Sequence, residues 1–419
     1  LRQNHRIDED RAQASFGSQP EDRATAGATL SQVVYSEEAL TASRTAGRSH
    51  EAQLALAEEA RLDAMAAAAL RYLDLLSARA VHRINTENLR LTLSNLELAR
   101  VRHRVGTTGP EEVYRWEAQE ARHRSSVIES QARVEAARDS LNQALGVDQN
   151  TLWRVSEVAL ADDDLYFLGE RLRPFIAGQR QTGILADFSV AEAVRNSPAL
   201  RALDAQRAAQ RLVLSSLRRQ GLVPTITASL TYDRILDETY SGPGMAEALG
   251  DSSTPSAGRE TDDDEWVAAL SARLPLFEGG GRMARVARAR ADLAQLDCVR
   301  ERERQTLELR ARAALHAAIG SQPNIALSRL AADRAHRNLE VIVDKYANGS
   351  VPILDLLDAQ NQDRVEGQTA AMAVHRYLGD LVNYQRAVSW FDVNRSESER
   401  DAWLGRLQEF AGARQAAQP

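Results

Sequence analysis

The sequence predicts a mainly α protein with a small β part, built from long antiparallel coiled-coil hairpins of helices that are each headed by β-strands. Three observations predict it. Helix-forming sequence runs for about 70 residues at a stretch, the strands ahead of those runs alternate apolar and polar residues, and the whole plan occurs twice.

Composition narrows the function classes. Of the 419 residues 43% are apolar, 26% charged and only 5% aromatic, a profile rich in helix formers. A single lysine, Lys345, accompanies 51 arginines, yet the net charge is −7, so the basic surplus of a nucleic-acid binder is absent. The one cysteine, Cys298, can form neither an internal disulfide nor a cysteine metal site. No run of 18 apolar residues occurs, which excludes a helical membrane span but not a β-barrel one, whose alternating strands keep hydropathy low. The chain opens Leu1-Arg2-Gln3-Asn4 and reads as processed or truncated.

In the later copy, Trp266 to Phe277 reads as a strand and Glu278-Gly279-Gly280-Gly281 as a turn. Helical sequence then reaches Asn348-Gly349, past the lone Pro323, and a return helix runs from Pro352 to about Phe391. In the earlier copy a strand ends at Tyr35, a helix runs to Gly106, and past Gly109-Pro110 a return helix ends near Gly146. Tyr35 to Gly106 is 71 residues and Phe277 to Gly349 is 72. Ahead of the later strands, Asp187 to Gly221 is helical with a break at Asn196-Ser197-Pro198, and Ser189-Val190-Ala191-Glu192 reads as a capping box. Only 35 residues precede the first long helix, so the first copy lacks its opening helices and most of its first strand.

A helix of about 70 residues is roughly 105 Å long and needs lateral support throughout. Leu62, Met65, Ala69, Tyr72 and Leu76 recur at spacings of three and four, and Val127, Val134 and Leu141 every seventh residue, as in coiled-coil seams. Leu70, Leu73, Leu89, Leu93 and Leu96 lie off a single seam, which implies neighbours on both sides of the helix.

Helices alone would fit a soluble coiled-coil scaffold, and that remains the alternative. The strands point elsewhere. Ile226, Ala228, Leu230 and Tyr232 alternate with Thr225, Thr227, Ser229 and Thr231, and Trp266, Ala268, Leu270 and Ala272 alternate with Val267, Ala269 and Ser271. About ten tilted residues with one apolar face span a bilayer, and Tyr232 and Trp266 are placed as interfacial aromatics. The connection from Leu236 to Glu265, rich in Gly, Ser, Pro and acids, suits a loop outside the cell. The duplication supplies four strands, too few to close a barrel, so several copies must share one.

Leu274-Pro275-Leu276-Phe277-Glu278-Gly279-Gly280-Gly281-Arg282 at the strand-to-helix junction, Asn196-Ser197-Pro198-Ala199-Leu200 opening the second repeat, Arg104-Val105-Gly106-Thr107 at the first reversal and Gly349 through Gln360 at the second carry a resemblance to the TolC-like outer-membrane efflux proteins. The resemblance covers nearly the whole chain. It implies a homotrimer with a shared 12-stranded β-barrel in the outer membrane, a helical barrel across the periplasm and an equatorial belt. It implies an exit duct, passively exporting what an inner-membrane pump or secretion ATPase hands over through a periplasmic adaptor (membrane fusion) protein. Barrel strands are then expected in 1–35, with the first truncated, and in 222–277; helical hairpins in 36–146 and 278–391; equatorial parts in 147–221 and 392–419.

The expected sites follow from the same resemblance. Arg104, Val105, Gly106, Thr107, Gly349 and Ser350 match the tip that meets the adaptor, and glycine suits a reversal that needs positive φ. Asp355 and Asp358, at i and i+3 and so on one helix face, match carboxylates that ring the periplasmic entrance. Threefold symmetry would gather six of them, repelling anions and attracting cations. Early-helix acids also complement the helix dipole. Tyr346 matches a tyrosine of the family's tip network, whereas Val351 stands where a gate-locking arginine occurs, leaving the latch unassigned. Gly279-Gly280-Gly281 lacks phosphate-loop spacing and reads as a bend. No histidine pair has metal-ligand spacing and no catalytic set stands out, so the reading is of no enzyme, no cofactor and no nucleic-acid partner, with outer-membrane lipid as a contact.

Overall fold

The computed structural model describes residues 2–3, 22–155, 173–176, 178–239 and 264–416. In chain order, strands β1 (Arg2–Gln3) and β2 (Asp22–Tyr35) precede helices α1 (Glu37–Arg104), α2 (Pro110–Leu145), α3 (Arg173–Ile176), α4 (Gln179–Asn196) and α5 (Pro198–Arg219). Strands β3 (Thr225–Thr239) and β4 (Asp264–Arg273) precede α6 (Gly281–Ala347) and α7 (Ile353–Ala387), then a 3-10 turn (Asp392–Asn394) and α8 (Glu397–Ala416). The duplication shows in the lengths: α1 and α6 have 68 and 67 residues, α2 and α7 have 36 and 35. No described helix is long and apolar enough to cross a membrane.

The chain divides into two compact units, residues 1–50 with 205–296, and residues 51–204 with 297–419. The first is built on a four-stranded antiparallel sheet in the order β1-β2-β3-β4, so the strand of the first repeat pairs directly with that of the second. Register aligns the alternation of every strand. Leu30, Leu230 and Ala268 lie side by side, as do Ala28, Tyr232 and Trp266, while the row Thr29, Thr231 and Val267 takes the other face. Strand β4 is exposed along its whole length, so among the described residues neither face of it is covered.

The strand expected to reach Phe277 stops at Arg273. Pro275 cannot donate to a ladder, and Gly279 and Gly280 take left-handed φ of 56° and 84°, which turns the chain into α6. The helix ends beneath the sheet are tied together. Arg219 of α5 grips Glu37 of α1 at 2.6 and 2.9 Å, Gln210 donates to the Ala289 carbonyl at 3.2 Å, and the Arg282 guanidinium fills the space a side chain at Gly221 would need.

In the second unit the largest core gathers Leu185, Phe188, Ala311, Leu315, Tyr384, Trp403 and Leu407, with the Phe188 and Trp403 rings edge to face at 5.0 Å. Arg406 holds the buried Glu192 at 2.7 Å and Arg312 holds Asp187 at 2.8 Å. Ser189 proves not to be a cap. It lies mid-α4, donates to the Leu185 carbonyl at 2.7 Å and meets the Tyr384 hydroxyl at 2.8 Å, because burial against α7 takes the hydroxyl that local spacing offered to a helix start. Ser197 is the residue that caps, accepting from the Leu200 amide at 3.2 Å.

The α1–α2 seam also departs from expectation. Val127 and Val134 are only half-buried, while Trp116, His123 and Ser130, likewise seven apart, are buried. Hydropathy alone overlooked this line because its polar members are satisfied across the hairpin: Thr92 with His123 at 2.8 Å and His82 with Ser130 at 3.1 Å. The return helix ends at Ala387, short of Phe391, where Ser389 adopts φ 53°. Most of the expected external loop (240–263), residues 156–172 of the equatorial segment, and residues 4–21, where the truncated first strand was expected, lie outside the described residues.

Candidate functional site: the two helix reversals

Both reversals are built alike. The Gly106 amide donates to the His103 carbonyl and the Thr107 amide to Arg102; the Gly349 amide donates to Tyr346 and the Ser350 amide to Lys345, all at 2.9–3.0 Å. This is the Schellman cap, and Gly106 and Gly349 supply its left-handed residue at φ 77° and 72°. Arg104, Val105, Gly106, Thr107, Gly349 and Ser350 are all exposed.

One apolar core joins the reversals. Leu96, Ala99 and Trp116 of the first hairpin pack with Leu339, Tyr346, Ile353, Leu356 and Ala359 of the second, and Val351 packs at its margin. Tyr346, 3% exposed, lies inside this packing and not on the face that carries the two aspartates. Its hydroxyl donates to Glu112 and accepts from Trp116 Nε1 at 3.3 Å. Burial, and then the Glu112 bond, push its pKa above the ordinary tyrosine value. Arg102 closes the cluster: Nη2 donates to the carbonyls of Tyr346 at 2.8 Å and Ala347 at 2.6 Å, the last turn of α6.

Asp355 and Asp358 are both exposed, on one face of α7, while Ile353, Leu356, Ala359 and Gln360 on the opposite side are buried. The aspartates therefore point away from the chain's own core. Sequence reasoning singled out neither Arg102, Glu112 nor Trp116, since only the fold shows that the two reversals meet; Arg102, two residues before the matched Arg104, carried no signal of its own.

In the sheet unit, Tyr232 and Trp266 are cross-strand partners, 42% and 70% exposed, and the Tyr232 hydroxyl donates to Asp264 at 2.7 Å. Among the described residues no group of three or more His, Cys, Asp or Glu is placed to hold a metal ion.

A family model described as outer membrane efflux protein matches residues 190–383, from within α4 through α7. The match covers a little under half of the chain. The match takes in the second repeat. The solved structure of CusC, a study of folding and transmembrane channel formation, superposes with a TM-score of 0.71 at 14% identity over 93% of this chain and 81% of that one. VceC, the outer membrane protein of Vibrio cholerae, gives 0.65 at 14% identity over 90% and 89%. The CmeC outer membrane channel of Campylobacter jejuni gives 0.64 at 15% identity over 95% and 84%. These likenesses establish the fold. A comparison with curated proteins finds no match.

Proposed function

We propose that the chain is the exit duct of a multicomponent export system, passing substrates through the outer membrane without chemistry of its own. The sheet carries the reading. Its apolar face, with Leu30 at 69%, Leu270 at 73% and Trp266 at 70% exposure, is covered by nothing among the described residues, where its edge strands β1 and β4 each pair on one side only. Lipid against that face and neighbouring copies at the edges satisfy both demands. Three copies of a four-stranded sheet close a barrel of twelve strands.

On this reading residues up to 35 and 222–277 form the barrel wall, 36–146 and 278–391 the periplasmic duct, and 147–221 with 392–419 its belt. Each reversal ends a helix that starts within eight residues of its strand and is about 100 Å long. Arg104, Val105, Gly106, Thr107, Gly349 and Ser350 then form the tip offered to a periplasmic adaptor, which links the duct to an inner-membrane pump or secretion ATPase. Asp355 and Asp358, free of the chain's own packing, line the entrance, and Tyr346 acts on it through the helix ends it holds.

The test is insertion. The full chain is expected to stay with outer membranes under high salt and to form ion-conducting pores in planar bilayers. A chain that is monomeric and soluble without detergent, and that conducts nothing, overturns the proposal.

A further inference from the structure

The helix ends directly beneath the sheet invert the charge of the molecule. Residues 36–50, 211–223 and 273–291 hold ten arginines against three carboxylates, in a chain whose net charge is −7. Two of those carboxylates are already committed, Glu37 to Arg219 and Glu278 to Arg285 at 2.5 Å. Arg211, Arg218, Arg288 and Arg290 are exposed, and none is ion-paired among the described residues.

These segments sit at one level of one compact unit. Contacts of Glu37 with Arg219, Gln210 with Ala289, and Arg282 with Gly221 hold the ends of α1, α5 and α6 side by side. Arg211 and Arg218, seven residues apart, share a face of α5. Between the end of β4 and the arginines of α6 lie Leu276 and Phe277, each 89% exposed, and Met283 at 77% follows at the start of α6. Apolar side chains that bare at the rim of a lipid-facing sheet, backed by a ring of guanidinium groups, have the layout of a membrane–water boundary.

We infer that this arginine collar binds the phosphate headgroups of anionic phospholipids in the leaflet at the helical end of the barrel, with Leu276 and Phe277 anchored among the acyl chains. The inference rests on the outer-membrane reading, which sets lipid against the sheet. Charge complementarity and continuity with the apolar face choose the occupant. Guanidinium groups take phosphate bidentately and stay charged at any physiological pH. One basic residue near an anionic surface strengthens attachment about fivefold at moderate salt.

The test titrates the detergent-solubilised full-length protein with phosphatidylglycerol or phosphatidylethanolamine and counts retained lipids by native mass spectrometry. The expected result is a preference for phosphatidylglycerol that falls at least fivefold when Arg211→Gln, Arg218→Gln, Arg288→Gln and Arg290→Gln are combined. It should persist when the same change is made at Arg302, Arg310, Arg329 and Arg334, exposed arginines farther along α6. Equal retention of both lipids by the unaltered protein overturns the inference, as does displacement of the lipid by millimolar inorganic phosphate, which would assign the collar to a free anion. A fourfold variant with changed ion selectivity but unchanged lipid count also overturns it, placing those arginines in the lumen. Pores in neutral bilayers with no headgroup preference remove the collar and leave the channel; no pores at all removes the channel reading itself.

Discussion

Arg102 and Tyr346 stand 244 positions apart in sequence, yet the guanidinium lies 4.6 Å from the centre of the tyrosine ring and donates to the tyrosine carbonyl. One side chain thus stacks on the ring and neutralises the carbonyl end of α6, where a helix dipole welcomes a cation. It links the two repeats at the point where each reverses.

Arg102→Ala should therefore loosen the second reversal. Charge-assisted hydrogen bonds of this kind contribute about 2 kcal/mol each, and lysine lacks the planar guanidinium that stacks on the Tyr346 ring. The expected outcome is faster amide exchange at Gly349 and Ser350 and a larger open fraction in bilayer recordings, with Arg102→Lys recovering only part. Exchange unchanged from that of the unaltered protein would show that the apolar core alone fixes the reversal.

Asp355 and Asp358 make a separate prediction because they take no part in that core. If three copies form the proposed entrance, replacing both by asparagine removes six negative charges from it while keeping size and polarity. Cation selectivity, read as reversal potential under a salt gradient, should fall severalfold, with folding and trimer yield unaffected. An unaltered reversal potential would leave the two acids with the helix dipole as their only role.

Much of this architecture was legible because it rests on periodicity. The two helix runs, the period-two strands and the positive-φ glycines at 106 and 349 are local signals, and local physics sets them. What was illegible depends on partners distant in sequence. Ser189 reads as a cap in sequence, but Tyr384 claims it, and His123 carries no signal until the fold sets Thr92 against it across the hairpin. The tip cluster of Arg102, Glu112, Trp116 and Tyr346 joins three helix ends from both hairpins, and no single window of sequence holds more than one hairpin. Gln360 was quoted only as part of a motif; it is 2% exposed, and its amide has no partner among the described residues.

His123 gives the α1–α2 hairpin a pH-dependent seam. Thr92 donates its hydroxyl to the Asn88 carbonyl, so His123 must donate from Nδ1 to Thr92 and accept at Nε2 from Gln119, which requires the neutral ring. Burial, then Arg364 and Arg122, hold its pKa below the ordinary histidine value. A folded-state pKa below the unfolded one means stability that is present at neutral pH and is lost as pH falls below about 6.5. Melting temperature should drop between pH 7 and pH 5, and His123→Gln should flatten that drop. Parallel pH profiles for the two proteins would remove His123 from the account.

Asp392 acts with the opposite sign. Its carboxylate, 2% exposed, accepts from Trp390 Nε1 at 3.0 Å and Gln385 Nε2 at 3.1 Å, which fixes the turn after α7. Burial raises its pKa to about 6, and the Trp390 bond and Arg400 offset only part of that. A folded-state pKa above the unfolded value near 4 means that the folded chain binds the proton first, so this group adds stability as pH falls from about 6 to 4. The shift amounts to about 3 kcal/mol at most. Asp392→Asn keeps an acceptor for Trp390 and removes the buried charge, so the variant should melt higher than the unaltered protein at pH 7 and level with it near pH 4. In the His123→Gln background, where the opposing titration is gone, the unaltered Asp392 should make the melting temperature rise as pH falls through that window. A variant no more stable at pH 7 would mean that the two donors already compensate the ionised carboxylate in full.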